Sequence, residues 1–136
     1  MANAIYPLAR QAWADGGLSW STDDWRIALL NSTYAYSDAH EFYTDVNAAE
    51  IAVSANLDGK TNVGGICDAN DLVIPAVAAG STISNVVIYQ WTGVAATSRV
   101  AVFYDSLATA ELISVATDSG NVSVKWSDGP LKIFRL

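Results

Sequence analysis

The chain is poor in cysteine, proline, histidine and charge. Among its 136 residues it has one cysteine, three prolines and one histidine. Because Cys67 has no second cysteine to pair with, no disulfide can form within the chain, and folding needs no oxidising compartment. No apolar run approaches the roughly 20 residues that span a bilayer, and residues 1–17 lack the pattern of a signal peptide. We therefore expect synthesis in the cytoplasm and no membrane partner.

Positive charge is scarce. Charged residues make up 15% of the chain, and seven Lys and Arg face fourteen Asp and Glu, which gives a net charge of −7. This balance argues against a nucleic-acid partner, because phosphate binding needs a basic surface. Hydrophobic residues reach 51%, with five Trp and six Tyr. Since these aromatic types are enriched in interface cores, we expect a partner to cover part of the apolar surface.

Residues 3–14 form the best candidate for a helix, because apolar residues recur there at four-residue spacing. Asn3 is a plausible N-cap. Proline is tolerated only in the first turn of a helix, so Pro7 also favours a start at Tyr6 or Pro7. The Asp15-Gly16-Gly17 sequence that follows is typical of a helix end.

The remainder of the chain has a β pattern. Residues 83–91 and 100–104 are rich in Val, Ile, Tyr and Phe, and a Gly-containing linker joins them, which predicts an antiparallel pair. Further strands are predicted at residues 25–31, 50–57, 60–69 (interrupted at 64–65), 71–74, 121–126 and 131–136, with 111–116 of uncertain type and a turn at 127–130. We expect a single domain, 1–136, with an N-terminal helix or arm (1–17) and a β core (18–136). About seven to nine short strands at this spacing indicate an antiparallel β-sandwich, jelly roll or barrel.

Three places invite a chemical role. His40 lies beside Asp38 and Glu41 and could be a general base, although a polar loop residue is the simpler interpretation. Cys67 has acidic neighbours, which would raise the pKa of its thiol, and this favours a buried structural cysteine. The turn at residues 68–71, with Asp68 and Asp71, lacks the spacing of an EF-hand loop and favours turn chemistry over a metal site.

The aromatic residues are the other candidates for function. Tyr34, Tyr36, Phe42 and Tyr43 lie in a polar segment that could also hold a short helical turn capped by Ser37. Aromatic residues in such a segment favour an interface or a carbohydrate platform over the core. On the N-terminal helix, Tyr6 and Trp13 either dock on the β core or engage another subunit. We take these six residues as the candidate partner-binding set.

Several short motifs also carry a resemblance to a known family. They are DWRIALL at 24–30, the Tyr-and-Asp loop at 34–42 with its YTDV step, LDGKT at 57–61, DAND at 68–71, VIY and VFYD in the central pair, and the final IFRL. In their order and spacing they cover nearly the whole chain. The chain resembles a family of small virion structural proteins of tailed bacteriophages.

This resemblance implies a non-enzymatic role without catalytic residues, cofactor or metal. It suggests a capsid decoration (cement) protein that binds the outer surface of the major capsid protein and stabilises the phage head. Its location would be the capsid surface of the virion, and a homo-oligomer, a dimer or trimer, is expected. The alternative within the same class is a tail, baseplate or fibre adaptor. A small hydrolase centred on His40 or Cys67 is the alternative from another class.

Overall fold

A computed structural model of the protein describes residues 4–75, 77, 82–105, 113–118, 120–126 and 133–135. Its one α-helix in these ranges, α1, spans Pro7–Ala14, and short 3₁₀ turns lie at Tyr43–Asp45, Asn47–Ala49 and Ala95–Thr97. The strands, in chain order, are β1 Ala4–Ile5, β2 Trp25–Leu30, β3 Glu50–Val53, β4 Thr61–Val63, β5 Ile66–Asp68, β6 Leu72–Ile74, β7 Asn85–Gln90, β8 Val100–Asp105, β9 Ile113–Asp118, β10 Asn121–Trp126 and β11 Phe134–Arg135.

The strands form three antiparallel sheets. A central five-stranded sheet has the order β1-β8-β7-β2-β3, and two three-stranded sheets have the orders β6-β10-β9 and β11-β5-β4. The prediction of a mainly β, antiparallel, sandwich-like fold with an N-terminal helix is thus confirmed. The strands are more numerous than expected, because residues 60–69 divide into a hairpin and because Ala4–Ile5, predicted to be helical, forms the two-residue strand β1.

The N-terminal helix is shorter than residues 3–14. It begins at Pro7 with Tyr6 as its N-cap, as the proline favoured, and Gly16 beyond its end has a φ of +80°. The two residues before the cap are strand instead, since Ala4 and Ile5 pair with β8 and the Tyr6 N–H donates to the carbonyl of Ala101 at 2.9 Å. The expected cap Asn3 and the expected turn at 127–130 lie outside the described residues.

The central sheet is covered on both faces. Its inner strands β2, β7 and β8 are almost continuously buried, without the alternation of a half-exposed strand. On one face Trp25 stacks on Trp13 with ring centres 5.5 Å apart, and Trp20 bridges Trp25 to Phe134 of β11. The Tyr104 hydroxyl donates to the carbonyl of Ile133 on the same side. The sheet β11-β5-β4 therefore packs against this face.

The opposite face carries Tyr89 and Phe103 and is covered by residues 31–49, which we call the cover segment.

The sheet β6-β10-β9 has a simpler arrangement. Its middle strand β10 alternates strictly, because it buries Val122, Val124 and Trp126 and exposes the residues between them. Its Trp126 side chain donates from Nε1 to the carbonyl of Asn70 at 3.0 Å. This bond ties the sheet to the turn at residues 68–71.

We predict that Tyr104→Phe lowers the free energy of unfolding by about 1–3 kcal/mol, because the buried Ile133 carbonyl loses its donor and meets no water. Urea unfolding followed by Trp fluorescence measures the loss. Tyr36→Phe is the matched control. Its hydroxyl donates to exposed Asp38, so the same change there should cost under about 0.5 kcal/mol. Equal losses in both variants would contradict the role given to Tyr104.

Candidate functional site

The cover segment holds four of the six predicted partner-binding residues against the central sheet. Tyr43 stacks on Tyr89 with ring centres 4.2 Å apart, and Tyr36 packs on Phe103 at 5.2 Å. A backbone hydrogen bond also joins the segment to the residues before β8, since the Tyr43 N–H donates to the carbonyl of Ser98 at 2.7 Å. The aromatic residues of this polar stretch therefore serve first as the cover of the sheet.

Asp45 gives the cover segment its local shape. One oxygen of its carboxylate, Oδ2, accepts hydrogen bonds from the backbone N–H groups of Glu41 and Phe42, at 2.9 and 3.1 Å. These bonds cap the 3₁₀ turn at Tyr43–Asp45. The bond from the Glu41 N–H is the main reason that the pKa of Asp45 is lowered from its usual value. Asp45 is therefore a carboxylate at neutral pH.

A chain of hydrogen bonds runs from the core to the rim of this segment. The hydroxyls of Tyr6 and Tyr34 are 2.6 Å apart, and the Tyr34 hydroxyl is 2.8 Å from Nδ1 of His40. Tyr6 is fully buried, and within the described residues its hydroxyl hydrogen has no acceptor other than Tyr34. Tyr6 thus donates to Tyr34, whose hydroxyl is in turn hydrogen-bonded to Nδ1 of His40. This chain of bonds holds the imidazole of His40 beside the Tyr34 ring.

A second tie joins the segment to the start of β8. Arg99 pairs with Glu41 at 2.6 Å, and its guanidinium lies over the Phe42 ring, 5.1 Å from the ring centre. Both charged side chains are about one-third exposed, so the ion pair contributes little to stability. Its effect is orientation, since the guanidinium covers one side of Phe42 and leaves this ring half-buried at the surface.

The six predicted contact residues divide into two groups. Tyr6 (0% exposed) and Tyr43 (4% exposed) belong to the core, so the prediction of contact surface there is corrected: their rings fill space under the cover segment. Tyr34, Tyr36 and Phe42 are half-buried residues of the cover segment. The rings of Tyr34 and Tyr36 both pack on Phe103, whereas the Phe42 ring lies under the Arg99 guanidinium. Trp13 is also half-buried, but it stacks on Trp25 at the other face of the sheet. The structure therefore brings Tyr34 and Tyr36 together on Phe103.

The His40 neighbourhood lacks the arrangement of a hydrolase within the described residues. Nδ1 of His40 is engaged by Tyr34, while Asp38 accepts from Tyr36 and Glu41 pairs with Arg99, so both neighbouring acids are turned to other partners. Neither a serine hydroxyl nor a cysteine thiol is hydrogen-bonded to the imidazole of His40 in the part of the chain that the structure describes. A nucleophile activated by this imidazole is thus missing from that part.

Cys67 is fully buried, and burial raises the pKa of its thiol to about 12. The cause is loss of solvent rather than the neighbouring acids that the sequence suggested. The turn at residues 68–71 is occupied by protein contacts: the carbonyl of Asp68 accepts from the Trp20 indole, and Asp71 accepts from the Trp126 N–H. Across the described ranges, no three His, Cys, Asp or Glu side chains are grouped to hold a metal ion.

A cleft of about 210 Å³ opens beside Tyr34. Its wall includes His40 and Asp45, together with Val46, which lies between the first two 3₁₀ turns, and Ala49 of the second. Sequence analysis missed Asp45, although an acid three residues after the start of a short turn is a capping pattern. It also missed Arg99, which lies 58 positions from its partner Glu41 and so gives no local signal.

No model of a known protein family matches the chain, and neither does any curated protein. The resemblance to phage virion proteins therefore stays a prediction. Among the described residues, no helix has the length and apolar character needed to cross a membrane.

All six tyrosines have a pKa above the usual value of about 10, chiefly because burial disfavours the charged phenolate. For Tyr36 and Tyr89 the pKa is raised to about 12. We predict that the folded protein shows almost no phenolate absorbance at pH 10.5, whereas the protein in denaturant shows six ionising groups.

The same shifts set the direction of the pH dependence. Because the folded pKa exceeds the unfolded one, this contribution to stability is fully present below about pH 10 and is lost as the pH rises toward 12. Absorbance at 295 nm, recorded with and without denaturant, tests both points. A pKa near 10 for two or three tyrosines in the folded protein would contradict the described packing.

Proposed function

We propose that this protein is a non-enzymatic virion component that decorates the capsid of a tailed phage by binding the outer surface of the major capsid protein. The observation that carries the proposal is the set of three half-buried aromatic rings on the cover segment, Tyr34, Tyr36 and Phe42. The family resemblance of the sequence points to the same class of protein.

Rigidity makes these three rings suitable for binding. Tyr34 and Tyr36 pack on Phe103 of a sheet buried on both faces, and Arg99 holds Phe42 from one side. Side chains that are already ordered lose little conformational entropy when a partner covers their remaining exposed area. Aromatic residues held in this way are typical anchors of protein interfaces.

Stabilisation of the head would follow from mass action. A protein that binds the assembled shell, and not its alternatives, shifts the equilibrium toward that shell. A dimer or trimer would contact several capsid subunits at once and would convert modest contacts into high avidity. The net charge of −7 suits this location, because it keeps the protein from binding nucleic acid.

The copy number per particle tests the proposal. We expect hundreds of copies in each purified virion, close to the number of capsid subunits or a simple fraction of it. Quantitative mass spectrometry of purified particles, scaled to the major capsid protein, gives this number. A count of a few dozen or fewer would assign the protein to the tail, baseplate or fibre instead, and its absence from particles would exclude a structural role.

The surface itself is tested with Phe42→Ala. This ring contacts mainly Arg99, and backbone bonds hold its neighbours, so the variant should fold normally. We expect binding to particles stripped of the protein to weaken by about fivefold or more. Val94→Ala, which shortens an exposed aliphatic side chain outside the cover segment, is the control. Equal binding by both variants would remove Phe42 from the contact surface.

A further inference from the structure

The cleft beside Tyr34 combines an unpaired carboxylate with an aromatic wall. Asp45 uses Oδ2 to cap the 3₁₀ turn, and no Lys or Arg within the described ranges pairs with its carboxylate. The lowered pKa of Asp45 keeps the negative charge in place at neutral pH. The cleft therefore holds a carboxylate that no Lys or Arg of the described ranges neutralises.

The other described residues that line the cleft include no Lys or Arg. The cover segment contains Asp38, Glu41 and Asp45 but likewise no Lys or Arg. Glu41 is neutralised by Arg99. The imidazole of His40, which also lines the cleft, is held by the Tyr34 hydroxyl. Any group that fills the cleft thus meets the carboxylate of Asp45 without a competing Lys or Arg among the described residues.

We propose that this cleft binds the guanidinium group of an arginine side chain presented by a protein partner. A guanidinium donates to a carboxylate and packs flat against an aromatic ring, and the cleft offers both, through Asp45 and through the rings of Tyr34 and His40. The apolar wall at Val46, Ala48 and Ala49 suits the methylene stem of the same side chain. Arginine is favoured over lysine because an ammonium group is compact, strongly hydrated and does not stack.

This inference rests on the proposed function, since it names the side chain by which the partner would engage the cover segment. It adds a specific expectation about that partner: its contact surface is basic and places an arginine opposite Asp45. The experiment below uses the isolated protein and a small molecule. A failure of the cleft to bind arginine would leave the decoration proposal intact. Binding of arginine would also be compatible with a protein that is located elsewhere in the virion.

The test is an NMR titration of the ¹⁵N-labelled protein with Nα-acetyl-arginine amide, whose only charge is the guanidinium. Nα-acetyl-citrulline amide, a neutral molecule of nearly the same shape, is the ligand control, and Nα-acetyl-lysine amide tests the preference for a planar cation. We expect a dissociation constant on the order of 1 mM for the arginine compound. The shifted amides should be those of residues 33–35, 40 and 45–49, with weaker binding of lysine and none of citrulline.

Asp45→Asn supplies the protein variant, because Asn keeps an oxygen that can cap the turn while it removes the charge. Affinity for the arginine compound should fall about tenfold. Asp58→Asn is the matched control. It makes the same change of charge in an exposed turn outside the cover segment, where among the described residues the carboxylate accepts only from the adjacent Gly59 N–H, and it should leave affinity unchanged.

Three results would overturn the inference. They are equal binding of the citrulline compound, shifts that spread over acidic residues outside the cleft, and equal affinity of the Asp45→Asn and wild-type proteins. Because Asp45 also caps a turn, the amide spectrum of the free variant must retain the dispersion of the wild type. If it does not, Ala48→Lys replaces it as the probe: this exposed residue lines the same cleft, so an added cation should weaken binding of the arginine compound, and unchanged affinity would overturn the inference.

Discussion

The requirement that the central sheet be covered on both faces governs the rest of this structure. Strands β2, β7 and β8 carry apolar side chains on each face, and every exposed square ångström of such surface would cost about 25 cal/mol. A second sheet and a tryptophan cluster cover one face. The aromatic rings of the polar segment at residues 31–49 cover the other face.

The need to pack on the sheet and also to meet solvent explains the composition of the cover segment. A segment that both packs on a sheet and meets solvent needs side chains that are apolar on one side and polar at the tip, and tyrosine meets both needs. Tyr34 and Tyr36 place their rings against Phe103 and direct their hydroxyls to His40 and Asp38. The same rings are therefore part of the core and part of the candidate binding surface.

The local elements could be predicted from the sequence, whereas the assignment of rings to core or surface could not. The β7–β8 pair and β10 follow from short apolar or alternating runs, which are properties of neighbouring residues. Whether the Tyr43 ring faces a partner or the core depends on its stacking with Tyr89, which lies 46 positions away in the sequence. It also depends on which face of the central sheet is left for the cover segment. The turn at residues 68–71 is likewise explained by indole donors 48 and 56 positions away, Trp20 and Trp126.

Interior packing also positions the candidate site. Tyr6 has no access to water, so its hydroxyl must donate to Tyr34, and the Tyr34 hydroxyl is in turn hydrogen-bonded to Nδ1 of His40. The Tyr34 ring and the imidazole at the rim of the cleft are thereby fixed beside the carboxylate of Asp45. A buried tyrosine that lies out of reach of any partner thus helps to shape the surface that a partner would meet, because moving Tyr34 away would leave a buried donor without an acceptor.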